Sequence, residues 1–409
     1  MIKYEMRYIM RRFDLVTPEG TRDLLFEDCL ARRKVEGRLH KIFRSKGYCE
    51  VITPSIEFYD VFDMNSRYFP QEEMYKLFDL KGRIMVMRPD STIPIARLVS
   101  TSLRDMERPL RLYYNQNIFV ANPSMMGRSD EIIQTGIELI GSSSKRADLE
   151  VLCTAIEVLD ACNSDDFNLE IGNIAFFQAL ISHLNASDAE REKIRHYIEV
   201  KNYPALDGLL SKFGDSDVVR ALKELPRLFG AEEVFEKARK IYPDDDLNKI
   251  LSELDGIYND LKRLGLNGRI TVDLGLVNRT DYYTGVIFRG YIDGCGEAIL
   301  SGGRYDKLIS EFGYDIPATG FAANVDAIAK TIANTVTQSV SKKPTSIVFG
   351  EDGYVIDSMA YFKELTNDGI PSEYAVFDDI DDVRSYARRK EIAEIHIVSD
   401  KITVEKVGG

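Results

Sequence analysis

Gln134 and Glu138 stand four residues apart in Ile132–Ile140, a β-branched run that predicts a strand. Even spacing on a strand turns both side chains toward one face of the sheet. Two polar groups among Ile132, Ile133, Ile137 and Ile140 are unusual for a core. They mark either a polar pocket or a solvated face. The pairs Tyr113-Tyr114 and Tyr282-Tyr283 carry hydroxyls on large apolar rings, and taken alone they suit a core with satisfied hydroxyls before a ligand box. Asp281 is placed to cap a turn beside the second pair. Gly302-Gly303-Arg304 lacks the glycine spacings of a dinucleotide fold or a P-loop, so its glycines are expected to let a strand meet a helix closely.

Other chemistries find little support. His40, His183, His196 and His396 share no local context with a serine, cysteine or aspartate in triad order, and a lone histidine is more often structural or solvated. The cysteines Cys29, Cys49, Cys153, Cys162 and Cys295 are widely spaced with no CxxC pair. That usage fits a reducing compartment and gives no zinc spacing, so no metal or other cofactor is expected. The 409 residues carry 53 basic and 66 acidic side chains, a net charge of -13. Phosphate-binding surfaces are usually basic, so the whole-chain charge sets an expectation against nucleic acid. There is no apolar run of signal-peptide or bilayer length, and a cytoplasmic protein with no membrane partner is expected.

The elements that must position these residues follow from periodicity. A helix is predicted over Leu24–Ser45, stopped by Gly47, and strands over Cys49–Ile52, Met74–Asp79, Arg83–Arg88 and Leu110–Asn117. Leu80-Lys81-Gly82 turns the second strand into the third. A helix starts just after Asp90-Ser91-Thr92, and another covers Ala147–Asp160. From about 174 to 264 strand patterns vanish, and a helical insertion is predicted. Strands return at Ile270–Asp273, Val286–Tyr291 and Ala298–Leu300, before the glycine-rich segment. A helix over Val325–Val336 leads into a polar linker at 337–344. Residues 345–409 then alternate strand and helix as a small α/β domain.

Read in order, TPEGTRDLL, TPSIEFYDVF, MRPDSTIPIAR, RLYYNQNIF and GRSDEIIQTGIELIG resemble the N-terminal half of histidyl-tRNA synthetases. LGLVNRTDYYTG and LSGGRYDKLISEFG resemble their two histidine motifs, and IPATGFAANVDAI looks like their third class II motif. The matches are colinear from Thr17 to about Ile328. The resemblance implies an α+β fold: a class II synthetase antiparallel sheet flanked by helices over 1–336, with the insertion inside it and dimerisation through the first motif. Residues 345–409 resemble a shortened anticodon-binding domain. The resemblance also implies a histidine-type pocket made of Asp90, Thr92, Gln134, Glu138, Tyr282, Tyr283 and Tyr305.

The departures point to a lost activity. Three arginines that serve adenylation in the synthetases correspond to Val120, Asn278 and Ala327, and a further one to Asp130. Losing one preorganised charge donor costs about 100- to 1000-fold in rate. Asp130 is expected to add repulsion toward a phosphate at close range. Such a chain resembles the regulatory subunits of ATP phosphoribosyltransferase. That resemblance implies no catalysis of its own, a short-form catalytic subunit as partner, a homodimer within a hetero-oligomer, and histidine as a feedback effector. Acidic residues outnumber basic ones after Thr345, including Asp378, Asp379, Asp381 and Asp382, which fits the absence of a tRNA partner. A divergent synthetase, or a histidine-sensing scaffold for another partner, remains the alternative.

Overall fold

A computed structural model describes residues 13–63, 70–122, 129–162, 166–266, 268–277, 282–335 and 344–407. They fall into two compact units, 1–336 and 337–409. The predicted linker lies almost wholly outside the described residues.

The first unit begins with α1 (Phe26–Ser45), whose buried Val35, Leu39 and Phe43 recur every four residues and form one apolar stripe. Gly47, at φ +80, ends it and hydrogen-bonds back to the Arg44 carbonyl. β1 (Cys49–Glu50) follows, then β2 (Ile56–Phe58), α2 (Asp60–Asp63), β3 (Lys76–Phe78) and β4 (Ile84–Met87). β2, β4 and β3 pair antiparallel as a small separate sheet. Its hairpin is held by Asp79, which accepts from the Lys81 and Arg83 amides at 2.8 Å.

Next come α3 (Thr92–Ser100), β5 (Leu110–Phe119), β6 (Glu131–Ile140), α4 (Lys145–Ala161) and β7 (Phe167–Asn173). The insertion supplies α5 (Ile174–Ser182), α6 (Asp188–Glu199), α7 (Tyr203–Leu210), α8 (Asp217–Glu224), β8 (Phe229–Gly230), α9 (Glu233–Ile241) and α10 (Asp245–Arg263). β9 (Ile270–Asp273), β10 (Val286–Ile292), β11 (Leu300–Arg304), β12 (Ala318–Asn324) and α11 (Val325–Thr335) complete the unit. Nine strands form one sheet in the order β1-β5-β6-β12-β11-β10-β7-β9-β8. Within it β1/β5 and β7/β9 are parallel, and the other neighbours are antiparallel.

Two expectations change here. The insertion is not free of strand, because β8 forms an edge of the large sheet. Its helices also share one continuous core with the sheet, from Leu180, Leu222 and Leu254 through to Ile171 and Phe288. The glycine-rich segment is itself strand β11 rather than a loop following a strand. A Cβ on Gly302 would overlap the Gly320 carbonyl, and one on Gly303 would come within 2.8 Å of the Tyr283 ring. Close approach is therefore between neighbouring strands and a tyrosine, not between strand and helix.

The second unit contains β13 (Ser346–Gly350), α12 (Val355–Asn367), β14 (Ser372–Tyr374), α13 (Ile380–Lys390), β15 (Glu394–Val398) and β16 (Ile402–Lys406). Its sheet order is β14-β13-β15-β16, antiparallel only at β16. Ile347 and Ile395 pack on Val383 and Ala387 of α13, while Val348 and Val398 pack with Leu365 of α12. The alternating pattern places apolar residues on both faces of a mostly parallel sheet, as its covering helices require.

Candidate ligand pocket

The site face of the large sheet is set by register. Glu138 on β6 pairs with Gly320 on β12, which pairs with Gly303 on β11. Gln134, two pleats along, points the same way. Small residues on β11 and β12 leave a hollow above this face, closed by the segment before α3 and by tyrosines from the chain around β10 and β11. The cavity measures roughly 260 Å³, and Asp90, Thr92, Gln134, Glu138, Tyr282, Tyr283 and Tyr305 all line it. Every residue of the expected pocket meets in one place. Val120, Ser301 and Gly320 line it too. The solvated-face alternative for Glu138 is excluded, since only 1% of it is exposed.

Glu138 sits at the floor. Thr92 donates its hydroxyl to Oε1 at 2.8 Å, and Tyr305 donates its own to Oε2. A Cβ on Gly320 would overlap Oε2, so glycine is required opposite the carboxyl. Burial pushes Glu138 up to about 8, against the lowering effect of the two hydroxyls. Asp90 is also enclosed, and burial raises it to about 6 while backbone amides pull it back. One of those is the Ile93 amide, which donates to Oδ1 at 2.8 Å. Asp90 therefore fastens the first turn of α3 as well as lining the cavity. The buried Gln134 Oε1 has no hydrogen-bond partner among the described residues. A buried acceptor left unmade is costly, and a donor arriving in the cavity would satisfy it.

The tyrosines form an aromatic wall. The rings of Tyr282 and Tyr283 lie 4.7 Å apart, and Tyr305 meets Tyr282 edge-on at 5.7 Å. Tyr305 is aimed by its neighbour Arg304, which bonds Asp148 and Asp306 and the Ser142 carbonyl. No arginine, lysine or histidine among the described residues lines the cavity. Tyr114, fully buried on β5, stands behind it and feels Glu138 and Asp90 electrostatically.

A second cavity of about 530 Å³ adjoins the first across Val120 and is lined by Ala327 and Asn324. Asn324 caps α11, accepting from the Ala327 amide at 3.0 Å. Asn278 and its neighbours through 281 lie outside the described residues. Asp130 is not among the residues lining this cavity, although its neighbours Gly20, Asn122 and Ser129 are. Its carboxylate accepts from Tyr75 at 2.5 Å and from Asn122, and it lies against Gly20. Sequence reading also missed two cations here, Arg22 and Lys330, which line the cavity with Glu297 and Asp326. Nothing in their local spacing announces them, because they come from a loop and a helix at opposite ends of the first unit's sequence.

Residues 20–328 match the family model described as histidyl-tRNA synthetase. A protein of Clostridium botulinum named ATP phosphoribosyltransferase regulatory subunit is 40% identical over 387 residues, covering 94% of this chain and 92% of that protein. The chain belongs to the ATP phosphoribosyltransferase regulatory subunit family. A member from Clostridium kluyveri is 41% identical, with 93% of this chain and 98% of that protein covered. A crystal structure described as an ATP phosphoribosyltransferase regulatory subunit/histidyl-tRNA synthetase from Bacillus halodurans superposes with a TM-score of 0.80 at 29% identity, over 91% of this chain and 97% of that one. The histidyl-tRNA synthetase of Nostoc sp. PCC 7120 shares the fold, with a TM-score of 0.76 at 18% identity over 96% and 95% of the two chains. The α+β class II synthetase fold expected for this family is the fold observed. Among the described residues no helix is long and apolar enough to cross a membrane.

Proposed function

We propose that the chain is the non-catalytic regulatory subunit that activates a short-form ATP phosphoribosyltransferase and makes it sensitive to histidine, in the first step of histidine biosynthesis. The observation that carries the ligand reading is a pocket with two buried carboxylates, an aromatic wall and an orphan amide oxygen. Such a lining suits a small molecule bearing positive charge and hydrogen-bond donors. Histidine offers both, its α-ammonium toward Asp90 and its ring nitrogens toward Glu138. The same lining has no described cation to gather phosphate, and Val120, which the resemblance sets against a synthetase arginine, is part of it. Arg22 and Lys330 at the adjoining cavity share it with Glu297 and Asp326, the latter already paired with Arg32 at 2.5 Å.

A homodimer within the complex has support from the small sheet. Ile56, Phe58, Leu77, Met85 and Met87 share one face by register, and none of them is buried. A second copy laid on that face would cover it. No tRNA partner is proposed. Histidine acts by favouring one arrangement of the assembly, and its coupling to catalytic-subunit substrates is reciprocal.

The deciding experiment mixes the chain with a purified short-form catalytic subunit and measures co-elution, phosphoribosyl transfer and its inhibition by histidine. Complex formation with raised, histidine-sensitive activity is the expected result. Histidine-dependent ATP–pyrophosphate exchange by the chain alone would sink the regulatory reading.

A further inference from the structure

Asp90 and Glu138 line one small cavity, both buried, and the described lining holds no cation to balance them. The groups facing Glu138 are Asp90, Tyr114, Tyr282, Tyr283 and Tyr305, none of which carries positive charge. Arg289 acts on Tyr283, and no described cation is among the groups acting on Glu138 or Asp90. Burial raises both carboxyls and Asp90 adds to the rise at Glu138, so the pair resists carrying two charges.

Geometry decides which one keeps its proton. Asp90 is held by backbone amides at the start of α3, and amides only donate, so they favour its ionised form. Glu138 is held by two hydroxyls, Thr92 and Tyr305. Both donate to the carboxylate, but unlike amides they can turn to accept from the carboxylic acid. The proton therefore rests on Glu138, in accord with the upward push that burial gives it.

We propose that the pocket stores on Glu138 the proton its ligand needs, and hands it to the ligand's imidazole on binding. This rests on the pocket reading given above. The Glu138 O–H bond breaks, an N–H bond forms on the neutral ring, and the carboxylate and imidazolium remain paired. No proton is drawn from solvent. The ligand class is thereby narrowed to amino acids whose side-chain base accepts a proton near neutrality; isosteric rings of much lower basicity are excluded by energy rather than by shape.

The test uses the full chain, ¹⁵N-ring-labelled L-histidine and a pH near 7.3, where the free ring is mostly neutral given its pKa of about 6.5. Nitrogen chemical shifts report the protonation of the bound ring. Calorimetric titration in buffers of different ionisation heat counts the protons exchanged with solvent. The expected result is a bound imidazolium with close to zero net exchange. An imidazolium formed with uptake of a whole proton would show that Glu138 was ionised beforehand, and overturns the proposal. A bound neutral ring overturns it as well. If histidine does not bind at all, the pocket reading falls and this inference falls with it. Glu138→Gln is expected to weaken binding at least about 10-fold, as loss of a charge-assisted hydrogen bond does, and to leave the ring neutral. An imidazolium in that variant would refute the hand-over even if the wild-type result agrees.

Discussion

Removing the Arg304 side chain by Arg304→Met should destabilise the first unit by about 3–5 kcal/mol, the usual result of stripping one partner from a buried ion pair. Arg304 is 7% exposed and Asp148 8%, so little water reaches either. The guanidinium spans Asp148 at 2.8 Å, Asp306 at 2.9 Å and the Ser142 carbonyl at 3.1 Å, tying β11 to the start of α4. Methionine fills much of the volume but leaves the Asp148 carboxylate buried alone. Burial already raises Asp148, and Arg304 is the main group opposing it. Without Arg304 the folded-state pKa of Asp148 rises further above its unfolded value. The folded variant then binds a proton that the unfolded chain does not, so its deficit grows as pH rises, by up to about 1.4 kcal/mol per unit until that raised pKa is passed. Urea unfolding at pH 5.5 and 7.5 measures both effects. Asp148→Leu on the Arg304→Met background should recover much of the loss, because the orphan charge is gone. Because Tyr305 is the next residue, histidine binding should weaken in Arg304→Met even where the chain is folded. A loss below about 1 kcal/mol, with no pH dependence, would refute the reasoning, since that is the scale of an exposed pair.

Three other outcomes follow from the site and the small sheet. Gly320→Ala places a methyl against Glu138 Oε2, and should cost about 1–3 kcal/mol and abolish histidine binding, read by thermal shift and calorimetry. Histidine affinity should fall by up to about tenfold per unit below about pH 6.5, as the free ring takes its own proton and Glu138 must release one, and by up to a further tenfold per unit below about pH 6 as Asp90 is protonated; a slope no steeper than about tenfold per unit at about pH 5 would count against Asp90 as a ligand contact. Phe58→Asp puts a charge on the apolar face of the small sheet, and the mass of the chain by light scattering should halve; an unchanged mass would place the dimer interface elsewhere.

What the sequence revealed, and what it hid, divides along physical lines. The pairing of Gln134 with Glu138 was legible from period-2 spacing, and both line the pocket. Asp90, Thr92 and Tyr305 were legible only through the resemblance, since no local pattern brings together residues that a sheet folds from four stretches of chain. β12 and the glycine half of β11 were missed because Ala-Thr-Gly-Phe-Ala-Ala-Asn and Ser-Gly-Gly-Arg lack β-branched alternation. They are poor in bulk because adjoining strands, Glu138 and Tyr283 fill the space where side chains would stand. β7 is different: Phe167, Leu169 and Ile171 alternate inward, and the signal was present in the sequence. The partners of Asp130 were not legible, because charge alone does not reveal that Tyr75 and Asn122 hold it.

The two-residue strand β8 has a consequence for how such chains diversify. Because the insertion lends an edge to the large sheet, and buries Leu222 and Leu254 in the same interior as β7 and β10, it has no seam at which to be cut. Exchange of 174–264 between relatives would carry across half of a shared interior and a raw sheet edge. Chimeras joined there should recover only when the residues of α4, β7 and β9 that meet the insertion travel with it. A segment that looks like an appendage in the sequence is inherited as part of the fold's foundation.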